Sequence, residues 1–151
     1  MKKKKALIIC CVVIAALAVI SAGLYIAGNL YYSSSRIYEQ TWDIDLPNNM
    51  QEKYEAKSDS NFLGDGVRYT IYHLSSNDDF LKDFQTNKDT SFESSFADGL
   101  NNFDETLNVP ANQQPNWEHK YIWKQVEKYE NHLYMVYDQQ TEELFILQVL
   151  I

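Results

Sequence analysis

The chain has no cysteine beyond Cys11 and no Asn-x-Ser/Thr acceptor anywhere along its 151 residues. The first absence excludes disulfide staples and a thiol nucleophile from everything after residue 11. Together the two fit a bacterial cell-surface protein. Basic charge is almost as scarce. Setting aside Lys2 to Lys5, nine basic residues face 21 acidic ones, a formal −12. That balance gives no support to nucleic-acid binding, which calls for a basic face. It repels anionic lipid, keeps a domain soluble, and attracts cationic partners such as basic peptides or metal ions. No internal repeat and no low-complexity tract is present.

Catalytic signatures are missing too. There is no G-x-S-x-G elbow. His73, His119 and His132 show neither H-x-x-x-H nor H-E-x-x-H spacing. The carboxylates Asp78, Asp79, Asp83, Glu142 and Glu143 fall at expected helix starts and turns, where capping and solvation account for them. No residue is assigned a catalytic role, no cofactor is expected, and the chain does not read as an enzyme.

What is present begins with MKKKKALIICCVVIAALAVISAGLYIAGNLYY. Ala6 to Ala27 carries no charge; at 1.5 Å per residue these 22 residues reach about 33 Å, against a bilayer core of about 30 Å. A cleaved secretory signal has a shorter apolar core, and Ser21-Ala22-Gly23, a weakly cleavage-like triplet, lies inside the run. Cys10 and Cys11 read as ordinary apolar residues of a span, with S-palmitoylation as the alternative. A lipoprotein signal is rejected, because cleavage before either cysteine leaves a membrane span attached. Tyr25, Tyr31 and Tyr32 suit the far interface, and the four lysines place the N-terminus in the cytoplasm. The expected organisation is therefore a basic tail at 1–5, a transmembrane signal anchor at 6–28, a juxtamembrane spacer at 29–37 containing Ser33 to Ser35, and an extracytoplasmic domain at 38–151.

Within that domain, Thr41 to Leu46 (TWDIDL) alternates polar and apolar residues and predicts a half-buried strand. Pro47 ends it and opens a short helix in which Met50 and Tyr54 share a face. Val67 to Leu74 predicts a second strand from its β-branched and aromatic content, with His73 on the side of Val67, Tyr69 and Ile71. Ser76 and Asp79 form a weak capping pair before Phe80, Leu81 and Phe84. Thr90 and Glu93 form a capping box, and the helix behind it aligns Phe92, Phe96, Leu100, Phe103 and Leu107 in one apolar stripe. After a polar loop between Pro110 and Pro115, three strands follow at Tyr121 to Tyr129, Leu133 to Asp138 and Leu144 to Ile151. The last, LFILQVLI, is apolar at nearly every position, as suits a strand covered on both faces or central in its sheet. Segregated strands and helices predict an α+β fold, an antiparallel sheet of four to five strands with helices packed on one face.

Two candidate sites emerge. Asp59-Ser60-Asn61-Phe62-Leu63-Gly64-Asp65-Gly66 opens like a calcium loop, but Leu63 and Thr70 occupy places that need oxygen ligands. A looser cation site using Asp59, Asn61 and Asp65 is the metal alternative; a tight turn into the strand at Val67 is the plainer reading. Aromatic residues crowd the C-terminal third. If Trp117, Tyr121, Trp123 and Tyr129 share an exposed face they form a platform for a peptide or sugar, whereas cross-strand pairing places them in the core. The leading expectation is a membrane-tethered module that binds a protein or cationic peptide in an accessory, sensory or immunity role. The alternatives are a metal-dependent or hydrolytic enzyme and a small subunit of a membrane complex. No motif is specific to a family.

Overall fold

The computed structural model describes residues 13–24, 33–58, 66–75, 78–101 and 107–151. The chain divides into two compact units, Met1–Ile37 and Tyr38–Ile151. In the first, residues 13–24 are helical (α1). Among the described residues no helix is long and apolar enough to cross a membrane. The described part of α1 is 12 residues, about 18 Å of helix. The rest of 6–28, with the basic tail and both cysteines, lies outside the described residues.

The second unit is α+β, built on one five-stranded antiparallel sheet. Its strands are β1 (Gln51–Lys57), β2 (Gly66–His73), β3 (Tyr121–Lys128), β4 (Asn131–Asp138) and β5 (Glu143–Leu150), in the order β1-β2-β5-β4-β3. The expected three-stranded meander is present. Tyr129 takes a left-handed conformation (φ 60°) at the first turn and Glu142 (φ 55°) at the second. These turns register Tyr121 opposite Asp138 and Tyr137 opposite Leu144. β5 lies centrally between β2 and β4, and its residues 144 to 149 are all buried.

That uninterrupted burial changes the layer arrangement. A strand apolar on successive residues leaves two apolar faces, and both are covered. On one, Phe92, Phe96 and Leu100 of α4 (Thr90–Asn101) join Tyr69, Ile71, Tyr134, Val136, Phe145 and Leu147 in one cluster. On the other, Tyr38 and Trp42 of α2 (Ser34–Trp42) join Tyr72, Leu133, Met135, Leu144 and Ile146, with Leu46 and Phe84. Helices on a single face were expected; they occupy two.

α2 itself replaces two expected features. Ser34 and Ser35 begin a helix rather than belonging to a spacer, and Thr41 and Trp42 end it rather than opening a strand. The i, i+4 spacing of Tyr38 and Trp42 aims both rings at the sheet, where each finds a polar partner. The Tyr38 hydroxyl lies 2.7 Å from Thr70 Oγ1, and Trp42 Nε1 donates to Gln148 Oε1 at 2.8 Å. Asp43, left-handed at φ 55°, ends the helix. Beyond it the alternation survives as burial, Leu46 in and Asp45 out, but no partner strand runs alongside. The short helix expected after Pro47 is absent; a turn there leads into β1, so Met50 and Tyr54 share no helical face. QEKYEAK has helix-like composition, yet pairing with β2 from Gln51↔His73 to Lys57↔Arg68 supplies the backbone partners and overrides it.

α4 starts one residue earlier than its box suggested. Asp89 Oδ1 accepts from the backbone N–H of Ser91 (2.9 Å) and Phe92 (3.1 Å), making Asp89 the cap. Glu93 turns elsewhere. Phe103 lies outside the described residues, and Leu107 is non-helical but buried in the same cluster. α3 (Asp78–Leu81) is a single turn that sets Phe80 against Phe84, ring centroids 5.3 Å apart.

Candidate functional site

The aromatic residues do not form a shared exposed face. Tyr121 is buried, Trp117 and Trp123 are half-buried, and Tyr129 alone is open, 94 % exposed at the β3–β4 tip. The first three edge the core beneath α4. Trp123 stacks on Phe92 at 4.2 Å, and Trp117 meets Phe96 and Tyr121 edge-on at 5.6 and 5.3 Å. Their polar atoms are also engaged. Trp123 Nε1 donates to the Asn87 carbonyl at 2.9 Å, and the Tyr121 hydroxyl donates to Glu93 Oε1 at 2.6 Å. Burial, followed by the Glu93 carboxylate holding its proton, pushes the Tyr121 phenol up to about 12. At β3's outer edge, Gln85 and Trp123 exchange backbone hydrogen bonds of 2.7 and 3.0 Å, which blocks strand addition there. The physical reason is that Tyr121 and Trp123 point towards α4, whose Phe92 and Phe96 need cover.

The cation candidates Asp59, Asn61 and Asp65 lie outside the described residues. Among the described residues no group of three His, Cys, Asp or Glu side chains could hold a metal. The histidines are dispersed. His73 ends β2 half-buried, its Nδ1 buried without a partner among the described residues. His132 belongs to β4, not a turn, and stacks on Tyr134 at 5.8 Å. His119 contacts Asp138 at 2.6 Å across the end of the β3–β4 hairpin.

The tertiary structure brings together a different set. On the α2 side of the sheet, a cleft of about 520 Å³ opens between the 43–47 segment, α3 and the β3–β4 strands. Its floor is apolar: Ile44, Leu46, Pro47, Phe80 and Met135. Its rim is acidic: Asp43, Asp45, Asp79 and Asp83, with Lys124 as the one cation. Glu39 fixes the near wall by accepting from the Leu46 backbone N–H at 3.2 Å. Lys124 Nζ approaches Asp83 at 3.8 Å, and the exposed Lys82 pairs with Asp79. Such exposed pairs are worth little and exchange readily. Asp43 and Asp45 have no ion-pair partner among the described residues, so the field over the floor is negative. The arrangement suits a cation carried on an apolar stem, because Lys and Arg bury their methylenes while holding the charge at the rim.

Sequence reasoning met Asp79 and Asp83 only as capping carboxylates and read Asp43 and Asp45 as the solvent face of a strand. The available signal was the Asp-x-Asp alternation before Pro47, which says nothing of what faces it. No family model, curated protein or solved structure matches the chain.

Proposed function

We propose that the chain is a membrane-tethered binding protein. In this reading, residues 1–5 are cytoplasmic, 6–28 anchor the chain in a membrane, and 38–151 lie outside the cell, where the acidic cleft takes a basic peptide with apolar flanks. The observation that carries the binding role is an apolar floor beside four rim aspartates, of which Asp43 and Asp45 have no ion-pair partner among the described residues. A neutral apolar ligand leaves Asp43 and Asp45 uncompensated; a basic one satisfies them. Support for the tether comes from α1, where Val13, Ile14, Leu17, Val19, Ile20 and Leu24 are all exposed. A helix apolar on every side belongs in lipid or in a core, and the uncharged run from Ala6 to Ala27 has the length for lipid.

The binding test uses the full chain in lipid nanodiscs, titrated with Lys/Arg-rich, neutral and Glu-rich peptides of equal length, following the Met135 methyl by NMR. Saturable binding of the basic peptide alone is expected, weakening as salt rises. Asp43→Asn and Asp45→Asn each lower affinity about two- to fivefold, as befits exposed charge pairs. Equal binding of the neutral peptide would sink the reading. The tether is tested by fractionation: the mature protein resists alkaline extraction from membranes, and recovery of soluble protein from the medium refutes it.

A further inference from the structure

A second cleft, of about 420 Å³, lies at the end of the sheet where the β4–β5 turn meets the segment 111–119. It shares no lining residue with the acidic cleft. At its centre is Asp138, 5 % exposed as a side chain and saturated with donors. Its Oδ1 accepts from the backbone N–H of Gln140 (2.8 Å) and Thr141 (3.3 Å), and its Oδ2 lies 2.6 Å from His119 Nδ1. A carboxylate so placed can only accept, so Nδ1 carries a proton, and in the neutral imidazole Nε2 is the acceptor. His119 Nε2 has no partner among the described residues. The backbone also fixes the ring: His119 N–H donates to the Asn116 carbonyl at 3.0 Å, and Asn116 Oδ1 accepts from Glu118 N–H at 3.1 Å.

Charge excludes several ligand classes. Glu143, on the same cleft, is paired with Lys53 at 2.9 Å, and no unpaired cation lines the cleft to receive a phosphate or carboxylate. Nor can three metal-binding side chains converge there. What is offered is neutral: the His119 acceptor, the Asn112 and Asn116 amides, the Thr141 hydroxyl, and an apolar patch of Pro115 and Phe145. Amides that both donate and accept, beside an imidazole acceptor and an aromatic ring, match hydroxyl groups spaced on an apolar C–H face.

We propose that this cleft binds a saccharide, with His119, oriented by Asp138, accepting a hydrogen bond from a sugar hydroxyl. This site is independent of the tether and of the acidic cleft. The test presents the full chain in nanodiscs with gluco-, galacto- and N-acetylgluco-trisaccharides and follows the His119 ring nitrogens by NMR. A saturable shift at Nε2 with at least one probe is expected, with Nδ1 little changed. His119→Gln keeps a donor for Asp138 but replaces the imidazole acceptor with an amide oxygen at a different position, and weakens binding about tenfold. If that variant does not fold, the exposed Asn112→Ala decides, with an expected loss of about three- to tenfold at unchanged melting temperature. No saturable shift with any of the three probes, or full binding by Asn112→Ala, overturns the proposal.

Discussion

The contact between Tyr38 and Thr70 decides whether α2 is docked on the sheet as a helix. Both side chains are fully buried, and their oxygens lie 2.7 Å apart. Tyr38→Phe keeps the ring and its packing but leaves the Thr70 hydroxyl without this partner. Thr70→Val keeps the shape and orphans the Tyr38 phenol. A buried hydrogen bond contributes about 1 kcal/mol net, and an orphaned buried polar group costs about 1–3 kcal/mol, so each single change should lose about 1–3 kcal/mol. The double variant removes donor and acceptor together and leaves nothing orphaned. Its loss should fall short of the sum of the singles by about 1–2 kcal/mol. For a domain of this size, each kcal/mol moves the melting temperature by about 3–6 °C. Urea unfolding of the full chain, followed by tryptophan fluorescence, measures all four corners of the cycle, and the slope with urea should stay constant. Additive single effects, or two neutral single variants, would refute the contact and with it the docking of α2 on that face.

Asp89→Ala removes the side-chain acceptor for two N–H groups at the start of α4 and should cost about 1 kcal/mol by chemical denaturation; Thr90→Ala, one residue inside the helix, should cost less, and the reverse ranking would restore Thr90 as the cap. Gly99→Leu places a side chain where a Cβ already comes within 3.2 Å of Leu147 Cδ2 and Val149 Cγ2, so a loss of about 1–3 kcal/mol is expected; unchanged stability would mean that α4 stands off β5. Alkaline pH should destabilise the fold. Burial raises the phenols of Tyr38, Tyr69, Tyr72, Tyr121 and Tyr134 above their usual value near 10. The neutral forms are therefore favoured in the folded state. Their contribution is complete below about pH 10 and is lost as pH rises through the folded values. The unfolding free energy from urea titrations should hold from about pH 7 to 9.5 and fall above about 10, by up to about 1.4 kcal/mol per pH unit for each phenol still protonated in the fold; a value unchanged at about pH 11 would count against these burials.

Local patterns were legible where one contact direction dominates. Phe92, Phe96 and Leu100 recur at helical spacing because one stripe meets the sheet, and all three are buried. The meander could be read from its turns, and β5 from LFILQVLI, whose lack of alternation signals two covered faces. Two covered faces need two covers, and α2 supplies the second, which helices on a single face leave out. TWDIDL misled because two aromatic residues at Tyr38 and Trp42 also satisfy a helical period, and only Thr70 and Gln148 across the sheet choose between the periods. QEKYEAK misled because its propensity opposes its pairing.

The candidate sites follow the same division. Charge balance alone determined that the part of the chain beyond Lys5 is acidic, and the uncharged run at Ala6 to Ala27 defines a candidate anchor, since both depend on composition and length. Apolar periodicity determined most of the core, since a repeat of two or near 3.6 residues has a single buried direction. Only the tertiary structure decided which carboxylates act together. Asp43, Asp79 and Lys124 meet in one cleft, although 35 and 44 residues of chain lie between them. Asp138 reaches His119 because the β3–β4 register folds the chain back on itself. A local pattern encodes which way a side chain points, but the neighbour waiting there comes from distant chain, and convergence of that kind leaves no spacing to read.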